Sequence, residues 1–114
     1  MNDEIFDEQA AKRKAQVIKA MAHHSRLAII QSLGDGEMCV SDLQKIVGSD
    51  VSTVSKHLTV LKNANIVEDR KAGLQVYYRL RLPCVAEFLR CVDAMIENRP
   101  FTMTHPVAVE TCAV

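Results

Sequence analysis

Between Ser41 and Leu80 the spacing of apolar residues changes once, and that change confines the chain to few folds. Ser41-Asp42-Leu43-Gln44 has the form of a capping box, a serine with glutamine three residues on, and predicts a short helix over about 41–47. Gly48 stops it. Ser49 or Asp50 then caps a second helix over about 51–64. In that helix Val54, Leu58 and Leu61 fall at i, i+4 and i+7, a narrow buried stripe. Beyond it the period becomes that of a strand. Ile66 to Arg70 and Leu74 to Leu80 predict two strands joined by Lys71-Ala72-Gly73, with glycine supplying the turn. Two short helices separated by Gly48-Ser49-Asp50 and followed by a ribbon predict a winged helix-turn-helix.

The flanking segments are also helical. Ile5, Phe6, Ala10, Val17, Ile18 and Met21 predict a helix over about 5–21. Leu27, Ile29, Ile30 and Leu33 predict another over about 25–33, with Ser25 as N-cap and Gly34-Asp35-Gly36 as the closing turn. Met38-Cys39-Val40 is a short extended stretch. Pro83 suits the first turn of a last helix over about 83–98, whose apolar face holds Val85, Phe88, Leu89, Val92, Met95 and Ile96. The expected fold is therefore mainly α with a β-hairpin wing, in the order of four helices, two strands and a helix. Its 114 residues suit one domain, expected over 1–98, with 99–114 as a flexible C-terminal tail. The broad apolar faces of the first and last helices need a cover, and a symmetric partner would supply it, so a homodimer is expected.

A hydrophobic share of 48% suits a globular chain. The chain starts Met-Asn-Asp-Glu, without a basic and apolar leader, and no apolar run approaches the roughly 18 residues of a membrane span. A cytoplasmic protein with no membrane partner is expected. Cys39, Cys84, Cys91 and Cys112 are widely and unevenly spaced, and in a chain that starts without a leader and can build a core unstapled, reduced thiols are expected rather than a disulfide frame.

Formal net charge is +0, but the charge is unevenly spread. Asp3, Glu4, Asp7 and Glu8 make the start acidic. Between Ser52 and Arg81 stand Lys56, Lys62, Arg70, Lys71, Arg79 and Arg81 against Glu68 and Asp69. Such a stretch is the footprint expected where one face meets phosphates. The helix over 51–64 is rich in short hydroxylated side chains, which let a helix sit deep in a major groove. Ser52, Thr53, Ser55, Lys56, His57 and Thr59 are the candidates for base and phosphate contacts. Arg70, Lys71 and Arg79 are the candidates for the DNA backbone. A solvated mixed-charge surface, or a partner-binding module without DNA contact, is the alternative. An enzyme built on a cysteine with His23, His24 or His57 as base would need an orienting third group, and the sequence offers no such motif.

Val51-Ser52-Thr53-Val54-Ser55-Lys56-His57-Leu58-Thr59-Val60-Leu61 resembles the recognition helix of ArsR/SmtB-type repressors. Ile66-Val67, Asp69-Arg70-Lys71, Gly73 and Val76-Tyr77-Tyr78-Arg79-Leu80 look like that family's wing. Ala20-Met21-Ala22-His23-His24-Ser25-Arg26-Leu27 is similar to its opening. The resemblance covers about residues 15–82. It implies a homodimer formed through the first and last helices, a double-stranded operator of two half-sites, and repression relieved by a bound inducer, with no other cofactor required.

Glu37-Met38-Cys39-Val40-Ser41-Asp42-Leu43 resembles the arsenite-responsive members' Glu-Leu-Cys-Val-Cys-Asp-Leu, but Ser41 stands where the second thiol belongs. A three-thiol site for As(III) or Sb(III) would then need sulfur from elsewhere. Soft thiolates favour such ions, and Cys39, Cys84 and Cys91 are the expected ligands. Cys84 and Cys91 differ by about 10 Å in helical rise, so one intact helix cannot bring both to one ion. A frayed first turn, a partner helix, or only one of the two joining Cys39 would resolve this, and Cys112 could also take part. Thiol oxidation or a sulfur-species bridge is an alternative signal. Zinc or nickel at Asp93, Glu97 and His105 is another, although these lack the family's Asp-x-His spacing.

Overall fold

A computed structural model describes residues 6–102. Its elements are α1 (Glu8–Met21), α2 (His24–Leu33), β1 (Met38–Cys39), α3 (Val40–Val47), α4 (Val51–Asn63), β2 (Val67–Ala72), β3 (Gln75–Leu80) and α5 (Cys84–Glu97). This is a winged helix-turn-helix, as the change of period implied. The strands form one antiparallel sheet in the order β1-β3-β2.

The helix starts differ from expectation, each for a local reason. Phe6 and Asp7 precede α1, and the Asp7 carboxylate accepts from the Ala10 N–H at 3.1 Å. Ile5 lies outside the described residues. His23, not Ser25, caps α2. Its Nδ1 accepts from the Ser25 N–H at 3.0 Å, and Ser25 is drawn inside. A neutral imidazole nitrogen accepts as a hydroxyl would, so the cap moves back and the helix gains a residue. The capping box predicted at Ser41 does not start α3. Met38 and Cys39 are held extended opposite Tyr78 and Tyr77 of β3, so the helix begins where that pairing ends, with Cys39 as an N-cap that makes no side-chain bond.

Between α3 and α4 the chain turns at Gly48, where φ is 78° and the N–H donates to the Gln44 carbonyl at 2.8 Å. Only glycine takes that left-handed conformation without strain. Asp50 caps α4 by accepting from the Thr53 N–H at 2.8 Å. At its other end Asn65 is left-handed (φ 62°), the Asn65 N–H donates to Lys62 O, and the Ile66 N–H donates to Leu61 O. Buried Ile66 meets buried Leu61 in this Schellman closure. The wing's ladder runs further than expected, pairing Lys71 with Val76 and Ala72 with Gln75. The turn is therefore Gly73-Leu74, with Gly73 at φ 64°, a two-residue connection that preserves the strand twist.

The core gathers Ile29 and Ile30 of α2, Leu43 of α3, Val54, Leu58 and Leu61 of α4, and Val67 of β2. It fixes α4 by one stripe and leaves its other faces to solvent. The apolar faces of α1 and α5 are only partly used. Val17 and Ile18 on α1, and Phe88, Met95 and Ile96 on α5, remain exposed in the single chain. No helix among the described residues is long and apolar enough to cross a membrane. Of the expected tail, residues 103–114 lie outside the described part.

Candidate nucleic-acid interface and thiol positions

The outer faces of α4 carry the predicted contact residues. Ser52, Ser55, Lys56 and Thr59 are exposed, and Thr53 is half-buried. The Thr59 hydroxyl donates back to the Ser55 carbonyl at 2.9 Å. The hydrogen bonds from Thr53 hold the Asp50 carboxyl below its ordinary range, so the cap stays ionised at the helix start. Small hydroxyls beside one lysine form a low surface that a groove can approach closely.

His57 behaves differently from its neighbours. Its ring is half-buried and lies 4.5 Å, centre to centre, from His23, which stacks on His24 at 4.6 Å. Burial, then the neighbouring His24 and Arg26, pushes His23 below its ordinary 6.5. Burial, then His23, Arg26 and His24, does the same to His57. Both shifts favour the neutral ring, and His57 braces α4 against the start of α2 rather than standing out beside Lys56.

On the wing, Arg70 and Arg79 are engaged within the protein. Arg70 donates from Nε and Nη2 to Glu37 at 2.8 and 2.7 Å. Its guanidinium lies over the Tyr77 ring, 4.9 Å from the centre. That hydrogen-bonded pair lowers the Glu37 carboxyl and raises Arg70. Arg79 Nε donates to Glu68 at 2.7 Å, and Lys62 Nζ donates to Asp69 at 3.0 Å. Lys71 is exposed. Charge counting over Ser52–Arg81 overlooked Glu37, which reaches the wing from 33 residues earlier in the chain. Tyr77, counted only as a strand residue, supplies the ring beneath Arg70. Neither local spacing nor composition signals either role; the pairing of β1 with β3 does.

Cys39 ends β1, Cys84 begins α5, and Cys91 follows two turns later. All three are half-buried and outside any disulfide. Among the described residues of a single chain, no three His, Cys, Asp or Glu side chains gather as a metal-holding group. Cys39, Cys84 and Cys91 are thus not gathered into such a group within the described part of one chain. Cys112 and His105 lie outside the described residues.

Residues 23–69 match the family model described as "Bacterial regulatory protein, arsR family". The HTH-type transcriptional regulator NmtR of Mycobacterium tuberculosis is 39% identical over 84 residues, covering 74% of this chain and 70% of that protein. The arsenical resistance operon repressor of Escherichia coli is 38% identical over 95 residues, covering 73% and 81%. Among solved structures, the homodimeric winged helix-turn-helix DNA-binding domain Mb0332 of Mycobacterium bovis superposes with a TM-score of 0.71 at 29% identity. The match covers 89% of this chain and 99% of that one.

Proposed function

The chain belongs to the arsR family of bacterial regulatory proteins, and from that premise we propose a cytoplasmic, homodimeric repressor that leaves its operator when an inducer meets its thiols. The observation that carries the DNA part is the division of α4. Val54, Leu58 and Leu61 are buried, while Ser52, Ser55, Lys56 and Thr59 face outward beside the wing. A helix so mounted can enter a major groove while the wing reaches phosphates. The exposed apolar residues of α1 and α5 support pairing with a second copy. Two paired copies would set two α4 helices about one DNA turn apart.

The inducer class follows from donor chemistry. Cys39 heads the first helix of the helix-turn-helix, and Cys84 and Cys91 lie on a helix whose exposed face suits a dimer interface. As(III) or Sb(III) favours three sulfurs. Among the described residues one chain does not bring three together, so a site of this kind would draw on the second copy or on Cys112. A bond between Cys39 and the partner's α5 would tie the reading heads to the dimer helices. Coupling of this sort typically amounts to about 1–3 kcal/mol, enough to empty a moderately saturated operator. Thiol oxidation would use the same cysteines, and zinc or nickel would draw on the acidic residues of α5.

The test is a titration of DNA-bound protein with arsenite, antimonite, zinc, cadmium and an oxidant, followed by fluorescence anisotropy. Arsenite or antimonite should release the wild type, and Cys39→Ser should bind DNA normally but resist release. Release of Cys39→Ser at the wild-type dose would reduce Cys39 to a packing residue. Release by the oxidant alone would favour the redox reading.

A further inference from the structure

The wing folds its Arg70 inward across the sheet. Arg70 is on β2, the edge strand of the sheet. Its guanidinium does not extend from that edge. It folds inward over Tyr77 of β3 and grips Glu37, the residue preceding β1, with both Glu37 oxygens engaged. The pair therefore spans all three strands. Register brings it about. Arg70 and Cys39 both stand opposite Tyr77, and directly opposed residues share a sheet face. Glu37 lies two residues before Cys39, hence on the same side.

The fork-to-fork geometry matters because a guanidinium offers a phosphate the same two N–H groups. Carboxylate and phosphodiester compete for one face of one group. The competition is accessible to solvent. The Arg70 and Glu37 side chains are 55% and 29% exposed, and both line an open cleft of about 520 Å³ with Asp35, Gly36, Arg79 and Pro83. An exposed pair of this kind is weak enough to exchange.

We propose that Glu37 is an internal stand-in for DNA phosphate: it keeps Arg70 withdrawn across the sheet in the unbound protein, and duplex binding replaces its carboxylate with a backbone phosphate. This rests on the DNA-binding reading of α4 and the wing. Exchange breaks the ion pair and leaves Glu37 negative beside the duplex, so Glu37 holds affinity below what the wing's cations alone would give. Because Cys39 shares the face, the same pair connects the thiol segment to the wing.

The experiment is equilibrium binding of the full chain to two labelled duplexes across a series of salt concentrations. One duplex is the region upstream of the protein's own coding sequence, and the other is a random sequence of equal length. Wild type, Glu37→Gln, Arg70→Gln and the double variant are compared, with Glu37→Ala as a second removal of the carboxylate and circular dichroism to verify folding. Glu37→Gln and Glu37→Ala should each bind about threefold tighter than wild type. In the Arg70→Gln background the same Glu37→Gln change should matter by less than about twofold. Arg70→Gln alone should flatten the log–log salt slope by about 0.9, one phosphate contact. Unchanged or weaker binding of the folded Glu37 variants overturns the proposal, as does an equal gain in both backgrounds, which would be a general charge effect. A wild type that binds neither duplex in a salt-dependent way sinks the DNA reading together with this one, whereas a binding wild type with indifferent Glu37 variants sinks this one alone.

Discussion

Leu58 and Thr59 are adjacent in α4 but face opposite surroundings, so alanine at each separates packing from surface chemistry. Leu58 is 1% exposed and lies in the cluster with Val54, Leu61 and Ile29. Truncating it removes apolar burial and leaves a cavity that the neighbours fill only partly, a change that costs about 3 kcal/mol at comparable sites. A domain of this size has roughly 5–15 kcal/mol in all, so the loss is a large fraction of the whole. At about 4 °C per kcal/mol it lowers the melting temperature by about 12 °C. Thr59 is exposed, and its hydroxyl only returns a bond to the Ser55 carbonyl in its own helix. Alanine there exchanges that bond for better helix propensity, leaving stability within about 0.5 kcal/mol. Thermal and urea unfolding at one fixed protein concentration is the appropriate assay, because a dimer melts in a concentration-dependent way. DNA binding completes the comparison: Thr59→Ala should weaken it without lowering the melting temperature. A Leu58→Ala protein melting within about 4 °C of wild type, or a Thr59→Ala protein melting as low as Leu58→Ala, would refute this placement of the helix faces.

Two further outcomes are expected. His23 and His57 are both depressed below 6.5, so the unfolded chain binds more protons than the folded one under mildly acidic conditions. Their contribution to stability is present above pH 6.5 and is lost as the pH falls through the depressed values. Melting temperature should fall with acidification, and less steeply in His23→Asn, which keeps a capping acceptor but does not titrate; identical falls would remove the imidazole cluster as the cause. Glutamate at both Met95 and Ile96, which are 65% and 76% exposed on α5, should yield a folded monomer in sedimentation at concentrations where wild type is a dimer. A double variant that stays dimeric would place the interface elsewhere.

What local spacing encodes was visible in the sequence, and what depends on distant partners was not. The stripe Val54, Leu58, Leu61 located α4 and its buried face because helical periodicity is a local property. Gly48 and Gly73 marked the two turns because their left-handed conformations are local as well. β1 has only two residues, too few for a period, and is a strand only because Tyr77 and Tyr78 lie beside it. That pairing overrode the Ser41 capping box. Hydroxyl preference points to Ser25 as the cap of α2, whereas His23 supplies an equivalent acceptor. For the interface, composition points to Ser52, Ser55, Lys56 and Thr59, and all four are exposed. His57 was grouped with them, yet it packs against His23, a contact set by how α2 meets α4. Arg70 and Arg79 were counted as available cations because Glu37 is remote in sequence and the Glu68–Arg79 pair depends on cross-strand register. The thiols are the least determined by one chain. Cys39 and the α5 cysteines belong to different elements, and any sulfur from a second copy lies outside single-chain geometry.

The most direct test is to measure how many chains bind one duplex from the protein's own upstream region, and how the affinity varies with salt, for wild type and for a variant with alanine at Ser52, Ser55 and Lys56. Two chains per duplex, log affinity falling linearly with log salt, and binding largely lost in the variant while its fold persists, is the predicted result. Binding that ignores salt, or a folded variant that holds DNA as tightly as wild type, would contradict a DNA-reading role for the outer face of α4.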